Sequence, residues 1–181
     1  MSSLSSSGSI FMPPAASKVA EGVDSLYGFL LGASFISCVL VIGGLIWFAV
    51  KYRRQSENDK TPYIHHNALL EFTWSFIPFV IFMVAFVWGW IVFYDLRRMP
   101  KDALEIAVTA QKWNWTFTYK NGRRSGGEFY APVGQNVKLV MTSADVLHSF
   151  FLPAFRTKQD VVPGRYTALW FNAEKEGTYQ V

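Results

Sequence analysis

The sequence predicts a membrane protein in two parts, a two-helix transmembrane hairpin followed by an all-β domain. Two long runs without Asp, Glu, Lys or Arg occupy the first half of the chain, and from Leu104 onward the hydrophobic period changes to two. The composition agrees, because 17% of the 181 residues are charged and 51% are hydrophobic. Charged residues make up about a quarter of an average soluble domain.

The uncharged runs extend from Leu26 to Val50 and from Phe72 to Tyr94. At about 1.5 Å per helical residue, each is long enough to cross a hydrocarbon core of about 30 Å. Pro78 lies inside the second run, where a membrane helix tolerates proline, so we expect a kink and not a break. The alternative, two buried core helices of a soluble protein, would require unusually long core helices. We therefore expect membrane spans at about 26–50 and 72–94.

Charge predicts the orientation of the hairpin. The loop between the runs, residues 51–71, is rich in Lys and Arg, whereas the segment before the first run has Lys18 as its one cation. The positive-inside rule predicts a cytoplasmic loop, with a flexible segment 1–25 and the domain 96–181 on the outer side. Three cations shortly after the second run oppose this orientation: Arg97, Arg98 and Lys101. The N-terminus lacks the charged start and compact apolar core of a cleavable signal peptide.

Strand patterning covers the second half of the chain, in segments 104–108, 113–119, 137–141 and 166–171. The second segment alternates strictly as Trp113-Asn114-Trp115-Thr116-Phe117-Thr118-Tyr119. Turn signals separate the segments, among them Asn121-Gly122, Gly126-Gly127, Pro132–Gly134 and Pro163-Gly164. We expect an all-β sandwich or barrel. Residues 178–181 read as the start of a further strand, so we expect the domain to be incomplete at its C-terminus.

Few residues are candidates for chemistry. The sequence has no nucleophile elbow, phosphate-binding loop or H-E-x-x-H helix, and no basic block that would indicate a nucleic-acid partner. The single cysteine, Cys38, lies inside the first apolar run, so there is no disulfide and no zinc pattern. We interpret the adjacent His65 and His66 as a polar pair at the membrane surface. His148 lies between two predicted strands, but one imidazole without thiolates is not a copper site, and an ordinary hydrogen-bonded histidine remains an alternative.

Four motifs in order give a resemblance to a known family. They are His66–Pro78 at the start of the second run, Gln111-Lys112-Trp113-Asn114-Trp115, Asp145-Val146-Leu147-His148-Ser149-Phe150, and Lys158–Arg165. With these motifs the chain resembles subunit II of the haem-copper respiratory oxidases from about Ala20 to Val181.

The resemblance implies a fold, a function and partners. The β domain would be a cupredoxin-like, Greek-key barrel or sandwich that carries a dinuclear copper centre, CuA. This centre would accept electrons from cytochrome c and pass them to haem in subunit I, which reduces oxygen to water and pumps protons. Subunits I and III and membrane lipid would be the partners. The bacterial plasma membrane is favoured over the mitochondrial inner membrane as the location.

The resemblance also implies roles for five residues. His148 would be one copper ligand, Trp113 the point of electron entry, and Glu71 the mouth of a proton pathway. Asp160 and Arg165 would face subunit I near the electron path. Alternatives stay open for each: Trp113 packed in the sheet, Glu71 as a charge that only stabilises the helix start, and Asp160 with Arg165 as a structural ion pair.

The sequence departs from the family in its copper ligands. In the family, two bridging cysteines, a second histidine, a methionine and a glutamate carbonyl come from a loop that would follow Val181. We therefore expect the sequence to be a fragment of a longer copper-binding subunit. Two alternatives remain. One is a copper-free subunit of the quinol-oxidase type that serves as a scaffold, a branch that typically lacks a histidine at the position of His148. The other is a membrane-anchored cupredoxin-like assembly partner.

Overall fold

The computed structural model describes residues 12–60, 63 and 66–181. The described chain forms two compact units. The helical unit is Ser25–Trp90, and the second unit combines the described residues before Ser25 with Ile91–Val181. Each unit is described below by itself.

Two long helices follow one another along the chain, α1 at Lys18–Lys51 and α2 at Ala68–Arg97. Each contains one of the predicted spans and extends beyond it at both ends. In each helix, none of the most apolar 18-residue stretch is buried. A core helix of a soluble protein would be mostly buried, so this exposure favours membrane spans over that alternative. Helix α2 continues through Pro78, which confirms that the proline does not end it.

Polar caps explain why the helices begin before the apolar runs. The hydroxyl of Ser17 accepts a hydrogen bond from the Ala20 amide at 3.2 Å, and the Asn67 side-chain oxygen accepts one from the Leu70 amide at 3.2 Å. Both are N-cap contacts, in which a side-chain oxygen satisfies an amide that the first turn leaves unpaired. The predicted flexible segment 1–25 therefore differs from the structure from Lys18 onward, where the chain is already helical.

Within the helical unit, the two helices make contact near one end. The rings of Phe29 and Trp88 have centroids 5.5 Å apart. Next to Trp88, a Cβ added at Gly89 would lie 3.8 Å from the Leu26 side chain. A Cβ at this distance would make an ordinary van der Waals contact, so an alanine at position 89 would also fit against Leu26.

Seven strands form the β domain: β1 Leu104–Gln111, β2 Asn114–Tyr119, β3 Arg124–Gly126, β4 Asn136–Ser143, β5 His148–Leu152, β6 Thr157–Val161 and β7 Thr167–Asn172. Five of them make one sheet in the order β3-β2-β1-β4-β7, and β5 pairs with β6 in a second sheet. The pair β1–β4 is parallel and the other pairs are antiparallel. The Asn121-Gly122 turn connects β2 to β3, and Gly122 has a φ of 82° that favours glycine.

Alternating side chains of the strands build one core. In β4 every second residue is buried, from Val137 to Ser143, as a half-buried strand requires. An aromatic cluster joins the sheets: Phe129 lies 4.7 Å from Phe117, 6.0 Å from Phe171 and 6.5 Å from Phe150 between ring centroids. Aromatic rings at these distances bury much apolar surface, so the cluster stabilises the contact between the two sheets.

Two strand predictions are wrong. The alternation that begins at Trp113 does not start a strand there, because Lys112 and Trp113 form the turn between β1 and β2. Residues 178–181 form no strand. Instead, the Tyr179 ring packs edge-on against Phe155, with centroids 5.2 Å apart.

The segment before α1 packs on the β domain. The Ala16 amide donates to the Ala154 carbonyl at 2.9 Å, and the Ala16 carbonyl accepts from the Glu174 amide at 3.1 Å. Ala16 and Ala20 are fully buried. The described residues of the predicted flexible segment are therefore part of the folded domain, because backbone pairing and burial hold them.

Candidate functional site

His148 is the first residue of β5, where that strand pairs with Val161 of β6. Its Nε2 lies 2.7 Å from Oδ1 of Asp145, and its side chain is 18% exposed. Among the described residues, no other hydrogen bond reaches the ring, so Nδ1 is the nitrogen that is open to a ligand. An imidazole held in this way has one nitrogen bound to a carboxylate and one available to a metal.

Asp145 connects the loop before β5 to the turn between β1 and β2. Its Oδ2 accepts the Lys112 amide at 2.8 Å, and its Oδ1 accepts the Val146 amide at 2.7 Å and the Ser143 hydroxyl at 3.2 Å. The hydrogen bond to His148 holds the pKa of Asp145 well below its usual range, and the two backbone amides lower it further. The carboxylate is thus ionised at neutral pH.

The two tryptophans of the predicted aromatic strand have opposite surroundings. Trp115 lies in β2, and its ring meets His148 edge-on at 5.8 Å and Phe150 at 5.1 Å between centroids. Trp113, in the turn before β2, is 97% exposed. Only Trp115 therefore packs against the core, and the alternative that Trp113 is a packing residue does not hold.

Asp160 and Arg165 lie near the same edge of the domain but do not bond each other. Asp160 is on β6 opposite Ser149 and accepts its hydroxyl hydrogen bond at 2.8 Å. Arg165 follows Gly164 in the turn before β7, and Pro163 of that turn forms a bridge to Ser143 at the end of β4. The two charges are therefore not the structural ion pair that the sequence left open.

Glu71 belongs to the helical unit, in the first turn of α2. Its carboxylate lies 3.5 Å from Nδ1 of His66, and both side chains are largely in contact with solvent, with exposures of 48% and 72%. His65, the other member of the predicted polar pair, lies outside the described residues.

The described residues fit one position of a copper centre and do not complete it. His148 offers a free imidazole nitrogen, which suits copper. No three His, Cys, Asp or Glu side chains in residues 12–60, 63 and 66–181 lie together so that they could hold a metal ion. Cys38 is in α1, within the helical unit. The part of the chain that the structure describes therefore supplies one imidazole and no thiolate at this edge.

Sequence reasoning missed the role of Asp145. It stands three residues before His148, a spacing that brings a carboxylate back to the ring when the chain turns into a strand. The partner of its second oxygen, the Lys112 amide, lies 33 residues away. The Asp-x-x-His spacing could have indicated the first contact, but no local pattern indicates the second.

The family models match both parts of the chain. One described as "Cytochrome C oxidase subunit II, transmembrane domain" matches residues 5–89, and one described as "Cytochrome C oxidase subunit II, periplasmic domain" matches residues 126–181. A two-helix anchor followed by an outer all-β domain defines the class of protein. The chain belongs to the cytochrome c oxidase subunit II family, whose outer domain is cupredoxin-like. It is accordingly a membrane protein with an external soluble domain.

Curated relatives agree with the family models. The chain is 28% identical over 206 residues to cytochrome c oxidase subunit 2 of Cereibacter sphaeroides, which covers 92% of this chain and 67% of the relative. It is 34% identical over 161 residues to the same subunit of Alkalihalophilus pseudofirmus, covering 83% of this chain and 47% of the relative. The chain thus spans about half to two thirds of the length of these relatives.

One solved structure is also similar, the periplasmic domain of subunit II of cytochrome oxidase from Bradyrhizobium japonicum. The identity is 31%, the TM-score is 0.43, and the match covers 45% of this chain and 72% of that one.

Proposed function

We propose that the chain is the electron-entry subunit of a respiratory cytochrome c oxidase. Its outer domain receives electrons from cytochrome c and delivers them toward haem in subunit I, where oxygen is reduced to water and protons are pumped. One observation carries the proposal: the Asp145 carboxylate binds both the His148 imidazole and the turn that presents the exposed Trp113. An exposed ring and a candidate metal ligand are thereby linked through one side chain.

His148 is the residue of this chain that would hold copper, through Nδ1. The dinuclear copper centre supplies reversible one-electron acceptance when it is bound. The remaining ligands are not among the described residues. The chain's own contribution is to orient the imidazole, because the Asp145 carboxylate and the edge-on Trp115 ring contact it from its own domain.

Trp113 is the proposed point of electron entry. Its ring is 97% exposed, so a partner protein can cover it directly. Tryptophan is a preferred anchor at protein interfaces because it combines a large apolar surface with a polar N–H.

Asp160 and Arg165 are proposed to face subunit I near the electron path. Asp160 is bonded to the residue after His148, and the turn of Arg165 is bridged to β4, whose last residue, Ser143, also bonds Asp145. Both charges are therefore near the same edge as the candidate ligand. Neither charge neutralises the other, so both can pair with groups on another subunit.

Glu71 is proposed as the entrance of a proton pathway into subunit I. It begins α2, at the opposite end of that helix from the β domain. An ionisable residue at the edge of a membrane span is a functional candidate by default. The cation-rich loop before α2 supports an inner-side position for Glu71, the side from which pumped protons would be taken. Subunits I and III and lipid would surround the helices, in the bacterial plasma membrane.

Replacing His148 tests the copper assignment. In the oxidase complex purified from its native membrane, His148→Asn should abolish or distort the copper optical band while the subunit stays in the complex. His66→Asn is the matched control and should leave the copper band as it is in the wild type. An unchanged band in His148→Asn would refute the assignment.

The same purification separates the alternatives. A wild-type complex that contains the chain and haem but no copper would support a copper-free scaffold of the quinol-oxidase type. A chain that is absent from the haem-bearing complex would support an assembly partner.

A further inference from the structure

We propose that Asp145 is a positioning residue that couples the Trp113 turn to the His148 imidazole. The inference rests on the proposed function, in which His148 binds copper and Trp113 receives the electron. The two oxygens of the carboxylate have separate roles: Oδ1 orients the His148 ring, and Oδ2 holds the turn before Trp113.

The geometry divides the carboxylate between two segments. Oδ1 lies 2.7 Å from Nε2 of His148, and Oδ2 lies 2.8 Å from the amide nitrogen of Lys112. These segments are not neighbours along the chain. A single side chain therefore holds the start of β5 and the β1–β2 turn in one arrangement.

Asp145 is itself held in place. Its Oδ1 also accepts the Val146 amide, and its backbone amide donates to the Ser143 hydroxyl at 3.2 Å. Ser143 is buried at the end of β4, and β4 pairs with β1 up to the contact between Ser143 and Ala110. The Ala144 amide adds a bond to the Ala110 carbonyl at 2.9 Å. The loop that carries the carboxylate is thus hydrogen-bonded to the ends of β1 and β4, two central strands of the main sheet.

The bond to the imidazole selects which nitrogen can bind metal. Because the carboxylate of Asp145 accepts only, Nε2 carries the proton and Nδ1 presents its lone pair. A carboxylate on the outer nitrogen of a metal-bound histidine sets the ring orientation and increases its electron donation. More donation stabilises the oxidised metal, so Asp145 is expected to lower the reduction potential of the copper centre.

The bond to Lys112 orders the turn that carries Trp113. The Trp113 ring is almost fully exposed, so packing does not hold it. The charge-assisted bond from the adjacent amide fixes the backbone next to the ring. A fixed backbone at this turn limits the positions that the Trp113 ring can take relative to the imidazole, whereas a loose turn would allow many more.

Two substitutions at one position separate the two tasks. Asp145→Ala removes both acceptors. Asp145→Asn keeps an oxygen for Nε2 of His148 but places an N–H group opposite the Lys112 amide, where two donors meet. Asn is nearly isosteric with Asp, so it keeps the test valid if the Ala variant fails to assemble.

The experiment uses the purified oxidase complex and two readouts. Amide hydrogen exchange at residues 111–114 reports the turn, and the reduction potential and optical band of copper report the imidazole. In Asp145→Ala, exchange at Lys112 should accelerate by about tenfold or more, as expected for a lost bond to a charged acceptor, and the potential should rise. In Asp145→Asn, exchange should accelerate similarly and the potential should rise less.

Glu128→Gln is the charge control, because it removes a carboxylate of the same domain that accepts from the Tyr130 hydroxyl and bonds neither the ring nor the turn. It should leave exchange at Lys112 unchanged and shift the potential less than Asp145→Ala. If Asp145→Ala changes neither readout, or if Glu128→Gln equals it in both, the positioning role is overturned. If the proposed function itself is wrong, the wild-type complex will lack copper, or His148→Asn will keep the copper band. Amide exchange at Lys112 would still report the bond between Lys112 and Asp145 in that case.

Discussion

Arg156 carries a charge that the fold removes from water, with a side chain that is 7% exposed. Its Nε and Nη2 donate to the two oxygens of Asp24, each at 2.8 Å, and its other contacts are the carbonyls of Pro13 and Pro153. A planar guanidinium matches this paired acceptor geometry. The residue therefore stabilises the packing of the first turns of α1 on the β domain.

Removing the carboxylate should leave a buried charge without its partner. Asp24→Ala should reduce the free energy of unfolding of the β domain by about 2 to 3 kcal/mol, less than for a fully buried pair because water reaches Asp24. The measurement is urea unfolding of the detergent-solubilised protein, followed by tryptophan fluorescence. Lys18→Ala is the control, since its 4.0 Å pair with Glu174 is exposed, and it should cost less than about 0.5 kcal/mol. Equal losses in the two variants would contradict this role of Arg156.

At the scale of single residues, the sequence indicates some roles and hides others. His148 and Glu71 could be singled out, because an isolated imidazole in a β domain and a carboxylate at the edge of a span are unusual. The Asp24–Arg156 pair could not, because 132 residues separate its members. Contacts of this kind depend on the finished fold and leave no local pattern.

At the scale of elements, periodicity located the helices and most of the large sheet. Two exposed aromatic residues made the pattern inaccurate. Trp113 continued the alternation of β2 into the turn, so the strand was predicted to start too early. Phe151, 43% exposed, occupies a solvent-facing position of β5, so β5 showed no alternation and was not predicted. Alternation of apolar and polar residues predicts which side chains are buried only when the large apolar side chains are in fact buried. Both exceptions lie at or near the candidate site.

The start of α2 joins a structural cap to a proposed functional group. Asn67 caps the helix, and Glu71 lies one turn further on beside His66. Glu71→Ala should slow steady-state turnover of the complex while the rate of electron entry into copper, measured by rapid mixing, stays as in the wild type. Glu57→Gln, in the exposed loop, is the control for a lost negative charge. If Glu71→Ala turns over at the wild-type rate, Glu71 has no role in proton uptake and acts only as a negative charge that stabilises the start of the helix.

At the scale of the whole molecule, both ends of the helical hairpin belong to the outer domain. The segment that begins α1 is hydrogen-bonded to the β domain, and α2 leads directly into β1. Two membrane spans would return the chain to the same side. The cytoplasmic position of the loop between them stays a prediction, which rests on its cations.

Chemical labelling tests this topology. In a Cys38→Ser background, Lys120→Cys should react with a membrane-impermeant maleimide added to intact cells, because it lies in the β2–β3 turn. Asn58→Cys, in the loop between the helices, should react only after the membrane is opened. Labelling of Asn58→Cys in intact cells would show the opposite orientation, with the loop and Glu71 on the outer side of the membrane.

The measurement that tests the central claim most directly is rapid mixing of reduced cytochrome c with the purified complex. The claim is that electrons enter through the exposed Trp113 ring on the outer domain. In Trp113→Ala the fast phase of copper reduction should slow at least several-fold, with the copper band and the thermal stability retained because the ring packs against nothing in its own domain. Trp115→Ala is the matched control and should lower stability first, since its ring contacts His148 and Phe150. A fast phase of wild-type rate in Trp113→Ala would contradict electron entry at this residue.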